Sequence, residues 1–205
     1  MRRAVVTGAP GSGKSTLLAE VARRGVATEE EVARAILQTP GGMEMRAERP
    51  TGFALAMLEA QRASWDRAGE GNAPILFDRG FADIVGFLRL EGLAVPPAID
   101  AACREYRYEG PVFHAPPWRE IYRQDHERIQ SWEEAVESDA AVLGAWHDYG
   151  YSPITLPFAN PAIRAQWPTD FALAMLEAQR ACGIVQGRAM PRSCSIVALP
   201  ISSGS

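Results

Sequence analysis

The feature that most constrains this chain is the octapeptide Gly8-Ala9-Pro10-Gly11-Ser12-Gly13-Lys14-Ser15. It stands between the apolar run Ala4-Val5-Val6 and the amphipathic stretch Thr16-Leu17-Leu18-Ala19-Glu20-Val21-Ala22. The order reads as strand, glycine-rich loop, helix, with the spacing of a Walker A phosphate loop. Glycines let successive backbone N–H groups turn inward onto phosphate oxygens, and the helix N-terminus adds its partial positive charge. Gly8, Pro10, Gly11, Ser12, Gly13, Lys14, Ser15 and Thr16 are therefore expected to cradle the phosphates of a nucleotide. In that cradle Lys14 neutralises the β- and γ-phosphates, and Ser15 offers its hydroxyl to Mg²⁺. Lys14 is the only lysine in the chain; every other basic side chain, histidines aside, is arginine. A compact ammonium has been kept where a point charge must fit inside a phosphate cradle.

A chain of 205 residues holds one well-buried α/β domain with appendages. The expected division is a nucleotide-binding domain over 1–167, then a repeated helix segment and an atypical tail over 168–205. Apolar residues at 47% and charged residues at 22% fit a globular protein in water. The apolar run after Met1-Arg2-Arg3 ends at Thr7-Gly8, so neither a signal peptide nor a membrane span is expected, and the expected location is the cytoplasm. Cys103, Cys182 and Cys194 lack metal-type spacing and read as structural or incidental. A net charge of −4 gives no general attraction to nucleic acid or anionic lipid, so neither is expected as a partner.

Past the first helix, Gly25 to Thr28 reads as a second strand and Glu29 to Leu37 as a helix. Glu30 and Glu31 sit at their junction. Negative charge is favoured at a helix N-terminus on any account, but the C-terminal edge of an open α/β sheet is also where ligands bind, which makes both acids site candidates. Gln38 to Arg49, with Pro40-Gly41-Gly42, reads as a loop or lid-like excursion. A helix follows, with Thr51 as its N-cap and Phe53, Leu55, Met57, Leu58 and Trp65 as its apolar stripe. Ala73 to Phe77 is a short buried strand that delivers Asp78-Arg79-Gly80. An apolar strand ending in Asp is what a Walker A protein needs to hold Mg²⁺, directly or through water. Arg79 beside it suits a group that grips a phosphate or an acceptor.

Helices are expected over Phe81 to Leu90 and Pro97 to Tyr108, then a strand over Pro111 to His114. Trp118 to Trp132 keeps roughly helical spacing and places Arg119 and Arg123 on one face, with Arg128 beyond. Arg123 and Arg128 are candidates for a lid that neutralises a moving phosphoryl group. His114, His126 and His147 read as ordinary core-edge or surface residues. A helix from Glu133 to Trp146 and a strand from Ser152 to Leu156 precede another helix beginning at Pro161. Pro168 to Ala181 then repeats Pro50 to Ala63, changed only where Asp170 replaces Gly52. Cys182 to Ser205 contains no acid and ends in Ser and Gly.

Gly8-x4-Gly13-Lys14-Ser15, Phe77-Asp78-Arg79-Gly80, Ala115-Pro116-Pro117-Trp118-x-Glu120-Ile121-Tyr122 and Asp125-x-Glu127-Arg128-x-Gln130 together resemble a bacterial P-loop family. It is the AAA-type ATPase domain similar to the ribosylnicotinamide kinase module of NadR. The resemblance runs from about Met1 to Arg164 and leaves the family pattern from about Trp167 onward. It implies a three-layer α/β sandwich like that of nucleoside and nucleotide kinases: five parallel strands, helices on both faces, and an arginine-bearing lid. It also implies ATP and Mg²⁺.

The leading expectation is a kinase that phosphorylates a small, nucleoside-like acceptor. Lys14 and the loop amides hold ATP, Ser15 and Asp78 place Mg²⁺, and Arg79, Arg123 and Arg128 stabilise the phosphoryl group. Glu30 or Glu31 orients the acceptor hydroxyl. The alternative is an ATPase or nucleotide-dependent switch acting on a protein. A Ras-type guanine motif Asn-Lys-x-Asp is impossible, because the single lysine is already used, and a Leu-Ser-Gly-Gly signature is absent.

Overall fold

The computed structural model describes residues 3–69, 73–122 and 131–181. Five parallel strands form one sheet: β1 (Arg3–Gly8), β2 (Ala27–Glu29), β3 (Ile75–Asp78), β4 (Val112–Ala115) and β5 (Ile154–Thr155), in the order β2-β3-β1-β4-β5. β1 lies at the centre because a strand reading Ala-Val-Val-Thr-Gly can be buried on both faces. Val6 pairs with Asp78 and with Phe113, and Thr7 with His114, so the ends of β1, β3 and β4 lie side by side. From β1 the chain builds β2 and β3 on one side and then crosses to β4 and β5 on the other, and the crevice above such a reversal is the usual ligand site of an open α/β sheet.

The helices are α1 (Lys14–Arg23), α2 (Val32–Leu37), α3 (Gly42–Glu48), α4 (Pro50–Gly69), α5 (Phe81–Leu90), α6 (Pro97–Glu105), α7 (Trp132–Asp148), α8 (Pro161–Arg164) and α9 (Gln166–Ala181). Strand alternation divides them. Val5, Phe77 and Val112 point to a core shared with α4, α5, α6 and α7, where Phe53, Leu58, Phe81, Leu88, Ile99 and Trp146 are buried. Ala4, Val6, Leu76 and Phe113 point to the other face, against Leu17, Leu18 and Val21 of α1 and Ala172 of α9.

The repeated segment supplies one helix to each face. Phe53, Ala54 and Met57 are buried in α4, and their counterparts Ala172 and Met175 are buried in α9, with Phe171 set edge-on against Phe113. Leu55 and Leu173 both point outward, at 39% and 48% exposure. The sequence thus turns the same stripe inward twice, and α9 packs on the same sheet as the helices before it. The division expected at residue 167 falls inside α9.

Four local expectations are corrected. The expected loop over Gln38–Arg49 contains α3, because Met43-Glu44-Met45-Arg46-Ala47-Glu48 is a run of good helix formers that outweighs the preceding Pro-Gly-Gly beyond Gly41. α4 begins at Pro50, so Thr51 lies inside the first turn and is not the cap. Leu55 leaves the expected stripe. Trp118 does not start a helix: the N–H groups of Ile121 and Tyr122 both bond to its carbonyl in a turn. Helix α7 starts instead with Ser131, whose Oγ accepts from the Glu134 N–H at 3.1 Å while its own N–H donates to the Glu134 carboxylate at 2.6 Å. That capping box is written in the sequence as Ser-Trp-Glu-Glu.

Candidate active site

The phosphate loop leaves β1 through Gly8, whose φ of 132° and contact with Ala115 exclude a side chain: an added Cβ would collide with the Ala115 carbonyl. Gly13, at φ 79°, turns the chain into α1. Lys14 is the first residue of that helix and is 6% exposed. Its Nζ donates to the Gly8 carbonyl at 3.0 Å, the Ala9 carbonyl at 2.6 Å and Ser12 Oγ at 3.4 Å. The ammonium is held against the loop's own oxygens, and a phosphate would replace these acceptors. Burial, reinforced by Arg79, lowers its pKa from 10.5 to about 8. Ser15 and Thr16 are exposed, and with Pro10, Gly11, Gly13 and Lys14 they form one wall of a chamber of about 770 Å³. Ser12 is buried beneath that wall.

Asp78 ends β3 beside Val6 and is 7% exposed, and its Oδ1 has no hydrogen-bond partner. Burial raises its pKa to about 6. A buried carboxylate oxygen left without a donor is costly unless a cation or water completes it. That donor fits Mg²⁺, whose preference is for one or two protein oxygens plus phosphate and water. Among the described residues no group of three or more His, Cys, Asp or Glu could hold a metal alone, so nucleotide oxygens would have to supply most of the ligands.

Arg79 takes a left-handed backbone conformation, φ 68°, the one described non-glycine residue to do so. Such a conformation costs on the order of 1–3 kcal/mol and persists only where the surroundings fix it. Here its N–H donates to the Val6 carbonyl at 2.9 Å. Its guanidinium donates to Glu31 at 2.6 Å, to the Gly8 carbonyl at 3.0 Å and to Asp83 at 3.1 Å. Burial works against this charge, but Glu31, Asp83 and Asp78 outweigh it and hold the Arg79 pKa above its ordinary value. Burial likewise opposes ionisation of Glu31, and Arg79 with Lys14 holds its pKa below the usual carboxylate range. Glu31 lines the chamber with one oxygen engaged by Arg79. Glu30 is exposed and does not line it. Arg123 and Arg128 lie outside the described residues.

Four residues that sequence reasoning passed over complete the site. Asp83, on the first turn of α5, accepts from Thr7 Oγ1 at 2.6 Å, the Gly80 N–H at 2.9 Å and Trp146 Nε1 at 3.1 Å besides Arg79, tying three elements together beneath the loop. Its place four residues after Arg79 was the available signal. Asp139 of α7 accepts from the Ala9 N–H at 3.0 Å and contacts His114 Nε2 at 3.0 Å, so His114 belongs to the support of the loop. Arg164, 3% exposed, donates to the Ser12 carbonyl at 2.8 Å and sits beside Gly13. Gln61 of α4 lines the chamber and donates to Tyr108 Oη at 3.3 Å. The Trp118–Tyr122 turn crosses the phosphate loop, with Tyr122 over Gly11 and Ile121 over Gly13.

Away from the loop the chamber wall carries apolar side chains among its polar ones: Phe53 and Met57 from α4, Ile84 and Phe87 from α5, and Val142 from α7. A loop built for phosphates therefore opens onto space suited to a second, partly apolar molecule.

An AAA domain profile matches residues 3–164. The chain belongs to the AAA domain family. No curated protein sequence matches it. Among solved structures, it resembles deoxyadenosine kinase from M. mycoides with bound dATP at a TM-score of 0.61 and 13% identity, covering 82% of this chain and 97% of that one. It also resembles the NadR protein in complex with NAD and AMP-PNP at 0.58 and 16%, over 93% of this chain and 52% of that one. This AAA domain thus has the nucleoside-kinase-like P-loop fold, with the bounds of the matching profile ending at Arg164, the arginine beside Gly13. Among its described residues no helix is long and apolar enough to cross a membrane.

Proposed function

We propose that this AAA domain is a Mg²⁺-dependent kinase that transfers the γ-phosphoryl group of ATP to a hydroxyl of a small molecule. The observation that carries the reading is the placement of the Glu31–Arg79–Asp83 cluster between the phosphate loop and the apolar chamber. Phosphoryl transfer asks little covalent chemistry of the protein and much positioning and charge. The loop amides and Lys14 would bind the phosphates. Ser15 and Asp78 would hold Mg²⁺, which when bound neutralises charge developing on the phosphate oxygens. Arg79, fixed on three acceptors, presents a preorganised cation at the chamber edge. Glu31 is ionised, and its second oxygen makes no hydrogen bond among the described residues, which suits it to orient the acceptor hydroxyl. Arg123 and Arg128 are proposed, from the sequence alone, to close over the phosphates. The likeness to a deoxyadenosine kinase and to NadR supports a nucleoside-like acceptor, and the expected location remains the cytoplasm.

The test is turnover with and without acceptors. Basal ATP hydrolysis is expected to be slow, and one member of a panel of nucleosides, nucleotides and polyols to raise ADP production while itself gaining phosphate. Lys14→Ala is expected to lower turnover on the order of a hundredfold or more with the fold intact. Arg79→Ala and Glu31→Gln are expected to lower transfer far more than ATP affinity. Fast hydrolysis indifferent to every small molecule, or stimulated only by a protein, leaves a nucleotide-driven ATPase instead.

A further inference from the structure

Among the described residues, the charges that line the chamber do not balance. The carboxylates there are Glu31 and Asp83, and both are engaged by Arg79. The cations are Lys14, Arg34, Arg46, Arg79 and Arg164. Lys14 serves the phosphate loop, Arg79 its two acids and Arg164 the Ser12 carbonyl. Arg34 stands three residues beyond Glu31 on α2 and acts on that carboxylate electrostatically. Arg46 remains. It lies on α3, half-buried, and lines the chamber one helical turn after Met43. Among the described residues it makes no hydrogen bond, ion pair or ring contact.

The sequence around Arg46 explains why nothing local answers it. A helical side chain is met by partners three or four positions away. Those positions are Gly42, Met43, Arg49 and Pro50, and none is acidic. The nearby acids Glu44 and Glu48 stand two residues to either side, on other faces of the helix. A half-buried guanidinium with no carboxylate partner among the described residues, bordering apolar side chains, is a place for an anion brought by a ligand. The phosphates of ATP already have the loop and Lys14.

From this juxtaposition we propose that Arg46 forms an anion subsite for the acceptor. The phosphorylated substrate would then carry its own phosphate monoester or carboxylate beside an apolar, ring-like body that packs on Phe53 and Phe87. This rests on the kinase reading and narrows it from nucleoside-like acceptors in general to anionic ones. The transfer itself is ordinary: the acceptor oxygen bonds to the γ-phosphorus, the bond to the β–γ bridging oxygen breaks, ADP leaves and the hydroxyl proton is released.

The experiment compares matched acceptors that differ in one anionic group: adenosine against AMP, and a phenyl-substituted diol against the corresponding hydroxy acid. Each is assayed for ADP release and for phosphorylated product by mass spectrometry, and titrated by calorimetry onto the protein saturated with a non-hydrolysable ATP analogue. The wild-type protein is expected to bind and phosphorylate an anionic member at least tenfold better than its neutral mate. Loss of one charge-assisted contact in Arg46→Gln should erase that preference through a roughly ten- to hundredfold rise in acceptor KM. Arg46→Lys should restore part of it, and ATP affinity should stay unchanged in both. The phosphate and carboxylate pairs separate the two anion types. Preference for the neutral members, unaltered in Arg46→Gln, overturns the subsite and leaves the kinase reading standing. A weakened ATP affinity in Arg46→Gln also overturns it, by assigning the arginine to the donor. ATP hydrolysis with no panel member bound or phosphorylated overturns both readings.

Discussion

At the scale of single residues, the site is built from charges placed where burial makes them expensive. The shifts at Asp78 and Lys14 have opposite signs for the same cause. Asp78 has its pKa raised to about 6, so its native-state preference is for the proton, and that contribution to stability is lost as pH rises through about 6. Lys14 has its pKa lowered to about 8, so the cost of its charge is present below that pH and is relieved as pH rises beyond it. Between about 6 and 8 both groups are charged, which is what phosphate and Mg²⁺ require and what the unliganded fold resists. Nucleotide affinity is therefore expected to plateau in that window and to fall on either side. Asp78→Asn should remove the acidic limb, lower Mg²⁺-dependent turnover at least tenfold and raise the unliganded protein's stability near pH 7 by about 1–2 kcal/mol. Thermal melts and ATP titrations across pH check both halves; a destabilised Asp78→Asn protein with an unchanged pH profile contradicts the account. That Lys14 and Ser15 open α1 and that Asp78 ends β3 was legible in sequence, because loop spacing and an apolar run define those positions. Asp139 and His114 were not, since their partnership joins residues 25 positions apart and depends on α7 crossing behind Ala9.

At the scale of elements, the duplicated segment offers an internal comparison. α4 and α9 share 13 of 14 residues, differing at Gly52 and Asp170, yet α4 is enclosed by α5 and the chamber while α9 covers the opposite face of the sheet. Phe53 is 2% exposed and meets Phe87 edge-on at 5.5 Å, whereas Phe171 is only half-buried. Phe53→Ala is expected to cost about 3–5 kcal/mol and Phe171→Ala about 1–2, read from denaturant midpoints at constant slope. Equal costs would mean that the two copies are packed alike, contrary to the structure. Ending the chain at Ala165 should expose apolar surface of Val26, Leu76 and Phe113 and lower the melting temperature, even though no loop residue is removed. Boundaries were the weak part of the sequence reading. Pro40-Gly41-Gly42 drew attention from the helix formers behind it, and the S-x-x-E box at Ser131 was hidden inside an overlong helix.

At the scale of the whole molecule, the five strands followed from short apolar runs, while their parallel arrangement and the helices on both faces of the sheet followed from the family resemblance carried by the motifs at the strand ends. What composition and periodicity could not reach was the shape of the space beyond the phosphates. That space depends on how α2, α3, α4 and α5 converge, and only there do Gln61, Arg46 and Phe87 become neighbours of one chamber. A phosphate loop by itself is compatible with any nucleotide-driven device, and the chamber beyond it is what argues for transfer. The direct test is the fate of the γ-phosphoryl group. Protein is incubated with γ-labelled ATP, Mg²⁺ and a deproteinised extract of small metabolites, and the label is followed by chromatography and mass spectrometry. The account predicts label in one small molecule at a rate well above release of inorganic phosphate, with both lost in Lys14→Ala and the transfer selectively lost in Arg79→Ala. Label appearing only as inorganic phosphate, at a rate the extract does not change, would contradict it.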